Sequence, residues 1–106
     1  MKKLLIAVAV SFAFANAALA DEVADIWKAK CKSCHGDAGK GDTKEGKKDK
    51  VRDMTTDKWQ SDWTDDKIKD VILNGSKDNK KMKPFKDKVS AEEVDALVKL
   101  IRGFKK

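Results

Sequence analysis

The stretch CKSCH, Cys31 to His35, holds both cysteines of the 106-residue chain and its only histidine within five consecutive positions. Gly36 follows at once, and Gly39, Gly41 and Gly46 punctuate the charged run that continues to Lys50. Three soft-ligand side chains packed so closely admit four chemistries. A thioredoxin-like redox pair needs CxxC at a helix start within a strand and helix alternation, and no segment of this chain has a convincing strand pattern. Structural zinc needs four protein ligands, so with no further Cys or His a carboxylate would have to complete the set. A disulfide between Cys31 and Cys34 would close a tiny loop with little entropic gain, and it leaves His35 unexplained. The fourth reading takes CxxCH as the attachment sequence of c-type haem, with two thioether bonds and a histidine ligand to iron. Residues three apart share a helix face, so both sulfurs can reach neighbouring edges of one macrocycle.

The rest of the chain favours that fourth reading. Met1, Lys2 and Lys3 precede an apolar run from Leu4 to Phe14 and the small residues around Ala18 and Ala20, the three-part pattern of a cleaved export signal. Residues 1–20 are therefore read as a signal peptide and 21–106 as one exported domain, with no membrane insertion after cleavage. From Asp21 onward, 22 lysines and arginines face 18 acids, a net charge of about +4, and only 15 of 86 residues are Leu, Ile, Val or Phe. That balance borders on the composition of disorder, and a domain this small buries a modest fraction of its surface. A covalently held apolar cofactor would supply the missing interior.

Helical periods organise the domain. Val23, Ile26, Trp27 and Cys31 recur at three and four, predicting a helix from Glu22 to about Ser33 that delivers the cysteines. Gly36 to Lys50 reads as loop, and Val51 to Trp63 as short helical turns and loop with Met54, Trp59 and Trp63 as its large apolar groups. Thr64 caps a helix with Ile68, Val71 and Ile72 as its buried stripe. Asn74 and Gly75 end it, the glycine in a left-handed cap. Ser90 and Glu93 form a capping box ahead of Val94, Leu97, Val98, Ile101 and Phe104. The fold class expected is all-α.

If His35 takes one axial position of an iron, methionine is the remaining strong-field candidate. Met82 lies in a polar loop before Pro84 with no helical stripe to serve, whereas Met54 sits near Trp59 and Trp63 and reads as core filling. Met82 is the preferred ligand.

CKSCHG, the GKGD that follows, the helix ending in NG, the MKPF segment at Met82 to Phe85 and the terminal helix together resemble a small class I cytochrome c of the bacterial periplasm. The resemblance spans essentially the whole chain after the signal. It implies one haem c thioether-linked to Cys31 and Cys34, with His35 and Met82 as axial ligands, and a crossing of the first and last helices with Trp27 against Val94, Leu97 and Val98. Arg52, Asp53 and Met54 stand where relatives usually carry proline before an Asp-Leu pair. The expectation is that a loop carbonyl still accepts the second ring N–H of His35. Leu97 stands where an aromatic is common. Trp59 carries two readings, a donor to a haem propionate as in some relatives, or buried aromatic area.

The function that follows is a one-electron carrier between larger redox proteins, not an enzyme. A haem sensor with a labile sixth ligand, or a thiol or metal protein using the cysteines, are the alternatives. Lys80, Lys81, Lys83, Lys86 and Lys88 surround Met82, and Lys30 and Lys32 flank the cysteines, which suits an acidic docking partner. Nucleic acid is not expected, because acids are interleaved with the bases and the chain is read as exported. A transient carrier needs no permanent interface, so a monomer is expected.

Overall fold

The computed structural model describes residues 19–105, and all but the last two positions of the expected signal lie outside them. Among the described residues the fold is built from helices and loops, with no strand. Helix α1 runs through 19–35: regular at 19–26, a π-turn over Trp27–Cys31, and a final α-turn over Lys32–His35. Then come α2 (Lys44–Lys48), α3 (Asp57–Asp62), α4 (Asp65–Asn74) and α5 (Ala91–Arg102).

Side-chain caps begin every element after α1. Thr43, Thr56, Thr64 and Ser90 each accept a backbone N–H three residues on, from Gly46, Trp59, Lys67 and Glu93. Each satisfies an orphan donor of a first turn. At α5 the Glu93 carboxylate also accepts the Ser90 N–H at 2.7 Å, which completes the expected capping box.

Two expectations are corrected. The run Gly36 to Lys50 is not all loop, for α2 lies inside it. Its cap, Thr43, also donates to the Ser33 carbonyl at 2.7 Å, tying α2 to the end of α1. Gly46 sits where the helices touch, and a Cβ there would meet the Cys34 and Gly41 carbonyls. The second correction concerns Gly75. It has positive φ, but at φ 82 and ψ 170 it is extended rather than left-handed helical, a region open essentially to glycine alone. The reason is the return of the Met82 loop: a Cβ on Gly75 would approach the Met82 carbonyl at 2.9 Å, and Ser76 N–H donates to that carbonyl at 3.0 Å.

The buried core joins Val23 and Trp27 of α1, Met54, Ile68 and Ile72 of α4, Val89, and Val94, Leu97, Val98 and Ile101 of α5. Val94 and Leu97 are 2% exposed. The expected stripe of α5 therefore faces inward from Val94 to Ile101, and that of α4 does so through Ile68 and Ile72, while Val71 is only partly buried and borders the cavity described below. Trp27 shares that core with the α5 residues, but its aromatic partner is Phe104, just past the helix, with ring centroids 5.1 Å apart. The ring missing at Leu97 is supplied from there, and Gly39 makes room for it, since a Cβ on Gly39 would run into the Phe104 ring.

Candidate functional site: a cavity around Cys31, Cys34 and His35

The helices enclose a cavity of about 580 Å³, a volume in the range of small-molecule and cofactor pockets. Cys31, Cys34 and His35 line it from the end of α1, Met82 and Phe85 from the loop after α4, and Trp59 and Trp63 from the α3 segment. All five residues picked from the sequence, Cys31, Cys34, His35, Met82 and Trp59, thus border one space. Met54 borders it too while being 5% exposed, so it is both core and wall.

Each wall is held by its own chain segment. The glycine-rich run folds under His35 through Gly41 N–H to the His35 carbonyl at 2.9 Å and Met54 N–H to the Gly39 carbonyl at 2.8 Å. The Met82 loop is fixed by Phe85 N–H to the Ile72 carbonyl at 2.9 Å and by Asn79 Nδ2, which donates to the Asp49 carbonyl at 2.8 Å and so joins the loop after α4 to the end of α2. Trp59 and Trp63 stack at 5.7 Å and 13°, and the Arg52 guanidinium lies 5.8 Å from the Trp63 ring centre.

The chemistry of the donor set discriminates among the four readings. Cys31 and Cys34 stand half-buried and unbridged on the cavity wall. Burial pushes the Cys31 thiol up to about 11, against the pull of Lys30 and with a further upward push from Cys34. That is the reverse of the lowered thiol pKa of redox CxxC pairs. No group of three or more His, Cys, Asp or Glu among the described residues is arranged to hold a metal ion by itself. The His35 imidazole is held below its ordinary pKa by burial, leaving it neutral and able to ligate. Two unbridged sulfurs and a neutral imidazole on the wall of a largely apolar cavity fit a haem attached through CxxCH.

Residues 18–101 match the protein family described as "Cytochrome C oxidase, cbb3-type, subunit III". The chain belongs to the small class I c-type cytochromes. The solved structure of the KustC0563 c-type cytochrome is similar at 37% identity and a TM-score of 0.70, over 78% of this chain and 96% of that one. No curated protein matches. As a c-type cytochrome the chain carries covalently bound haem c, and its all-helical architecture is the class I fold.

One expectation at this c-type site is not met. The Nδ1 atom of His35 is buried and has no hydrogen-bond partner among the described residues, although a loop carbonyl was expected there. The carbonyl of Gly36, the residue after His35, accepts from Trp27 Nε1 at 3.0 Å. Sequence reasoning placed Trp27 in the core and missed this second role. Its signal was an indole eight residues before the histidine, which a regular helical period does not bring into contact.

Proposed function

We propose that this cytochrome is an exported one-electron carrier that works in the periplasm, with His35 and Met82 as the axial ligands of its haem and transient docking to larger redox proteins. The observation that supports this most directly is the convergence of Cys31, Cys34, His35 and Met82 on one cavity. Haem c supplies a metal that changes oxidation state by one electron with little rearrangement when both axial positions are filled. Cys31 and Cys34 tether it, His35 presents a neutral imidazole, and Met82 offers a thioether from a loop pinned at both ends. Thioether ligation favours the ferrous form and raises the reduction potential. Trp59, half-buried and stacked on Trp63, shields the cavity whether or not its indole N–H reaches a propionate.

Residues 1–20 are proposed to direct export and to be removed, leaving a domain from Asp21 onward. No helix among the described residues is long and apolar enough to cross a membrane. Six cations line the cavity, Lys30, Lys50, Arg52, Lys81, Lys83 and Lys88, against two acids, Asp49 and Asp78. The whole chain carries 24 basic and 18 acidic residues, so basic charge is concentrated at the cavity and suits a partner with an acidic face.

The test is the protein matured in a host that attaches haem c. Intact mass should exceed the trimmed polypeptide by one haem, and ferric spectra should carry the methionine-to-iron charge-transfer band, lost in Met82→Ala and kept in Met54→Leu. Rapid carbon monoxide binding by the wild-type ferrous protein at neutral pH would overturn the six-coordinate carrier in favour of a ligand-binding role.

A further inference from the structure

A ligating histidine ordinarily donates its second ring N–H to a carbonyl or carboxylate that fixes the plane of the imidazole. His35 has no such partner among the described residues, so its orientation needs another source. Trp27 is 6% exposed. Its ring centroid lies 5.8 Å from that of His35, at an interplanar angle of 37°. Phe104 backs the same indole at 5.1 Å, and Trp27 Nε1 is anchored on the Gly36 carbonyl at 3.0 Å, the residue adjoining His35.

The backbone explains how the two rings meet. Trp27 and His35 are eight residues apart, which on a regular helix of 3.6 residues per turn leaves them about 80° out of alignment. The π-turn at Trp27–Cys31, closed by the Lys32 N–H on the Trp27 carbonyl, absorbs one residue. The separation then counts as about seven, close to two full turns. Side chains on a helix lean toward its N-terminus, so the His35 ring leans toward Trp27. π-Turns inside α-helices are frequent at functional sites, and this one has an evident consequence.

We propose that Trp27 is the positioning residue for His35: it holds the imidazole plane by ring contact, its own indole fixed by Phe104 and by the Gly36 carbonyl, where a ligating histidine ordinarily relies on a hydrogen bond of its own. The assignment rests on His35 being an axial ligand. A histidine held by packing alone is free to turn when the packing is removed, whereas one held by a hydrogen bond is not.

The test is proton NMR of the oxidised holoprotein, because the pattern of the haem-methyl shifts reports the orientation of the ligand plane. The wild-type spectrum must first show strongly shifted imidazole signals from His35. Their absence would sink the ligation reading and is independent of Trp27. Given those signals, Trp27→Leu should reorder the haem-methyl resonances, and Trp27→Phe, which keeps a smaller ring and loses the N–H donor, should move them part of the way. Leu100→Ala, a packing change on α5 away from the cavity, should leave the order intact. Should Trp27→Leu fail to mature, Trp27→Phe decides. Wild-type shifts in Trp27→Phe, a retained order in a matured Trp27→Leu, or an equal reordering in Leu100→Ala would each overturn the proposal.

Discussion

Gly46 is the residue whose replacement the geometry penalises most directly. Its backbone is helical, so alanine would be welcome on propensity alone. A Cβ there, however, would meet two backbone carbonyls, those of Cys34 and Gly41, and neither can swing aside as a side chain would. Gly46→Ala is expected to cost about 3 kcal/mol, at the upper end of ordinary overpacking. Gly103 is the contrast, with φ −69 in the helical region and its nearest contact the Leu100 carbonyl at 3.2 Å, so Gly103→Ala should stay within about 1 kcal/mol of the wild type. Denaturant unfolding of the two holoproteins checks both, and equal stabilities would show that α1 and α2 approach less closely than described. The sequence could not announce this constraint. Cys31, Cys34 and His35 were legible because their meaning lies in local spacing, whereas Gly46 owes its identity to a carbonyl twelve residues earlier.

At the scale of elements, α3 is docked on α5 by two side chains, Arg102 and Gln60. Arg102 donates through Nη1 to the Gln60 carbonyl and Gln60 Oε1, both at 2.9 Å, and through Nη2 to the Trp63 carbonyl at 2.7 Å, and it pairs with Asp65 at 2.8 Å. Gln60 Nε2 in turn donates to the Met54 and Ile101 carbonyls. Hydrogen bonds from a charged donor to partly buried acceptors are the valuable ones, so Arg102→Met should cost about 2 to 3 kcal/mol. Asp65 is exposed, and Asp65→Ala should cost under about 1 kcal/mol. Thermal unfolding separates them, and a loss from Asp65→Ala as large as that from Arg102→Met would mean that the ion pair rather than the carbonyls holds the element. At the other end of α5, the carboxyls of Glu22 on α1 and Glu93 can share a hydrogen bond only while Glu22 keeps its proton, which raises the pKa of Glu22 and lowers that of Glu93. A raised carboxyl binds its proton more tightly folded than unfolded, so its share of stability falls as pH climbs from the ordinary carboxyl value through the raised one. Glu93 works in the opposite direction, its contribution being lost as pH falls through its lowered value. Glu22→Gln removes the first effect and should raise the unfolding temperature at pH 7 but not at pH 4. A gain at pH 4 as large as that at pH 7 would exclude the carboxyl pair as its cause. The caps of α4 and α5 were readable in Thr64 and in Ser90 with Glu93 because capping spans three residues. Local spacing gives no sign of the role of Arg102, since its partners lie 37 to 42 positions away. The π-turn left no trace in the apolar period of α1.

Over the whole molecule, the shortage of large apolar residues and the position of the cavity are one fact. Ile68, Ile72, Leu97 and Ile101 belong to the buried core and also line the cavity, so the core is built around that space rather than beside it. This much was foreseeable from composition, but the distribution of charge was only half legible. Lys81, Lys83 and Lys88 were expected near Met82, while Lys50 and Arg52 reach the cavity from a segment that sequence order leaves thirty positions away. Placement and net charge make different kinetic claims. If placement steers a partner, Lys81→Glu with Lys83→Glu should slow electron transfer with an acidic redox protein by about tenfold or more at low ionic strength, within the range of electrostatic steering. The same charge change in Lys99→Glu with Lys105→Glu, on and just after α5, should matter far less. The difference between the pairs should close as salt shortens the screening length to about 8 Å near physiological strength and below. Stopped-flow rates across a salt series read all three, and equal slowing by the two pairs would assign the effect to net charge and remove the case for docking at the cavity.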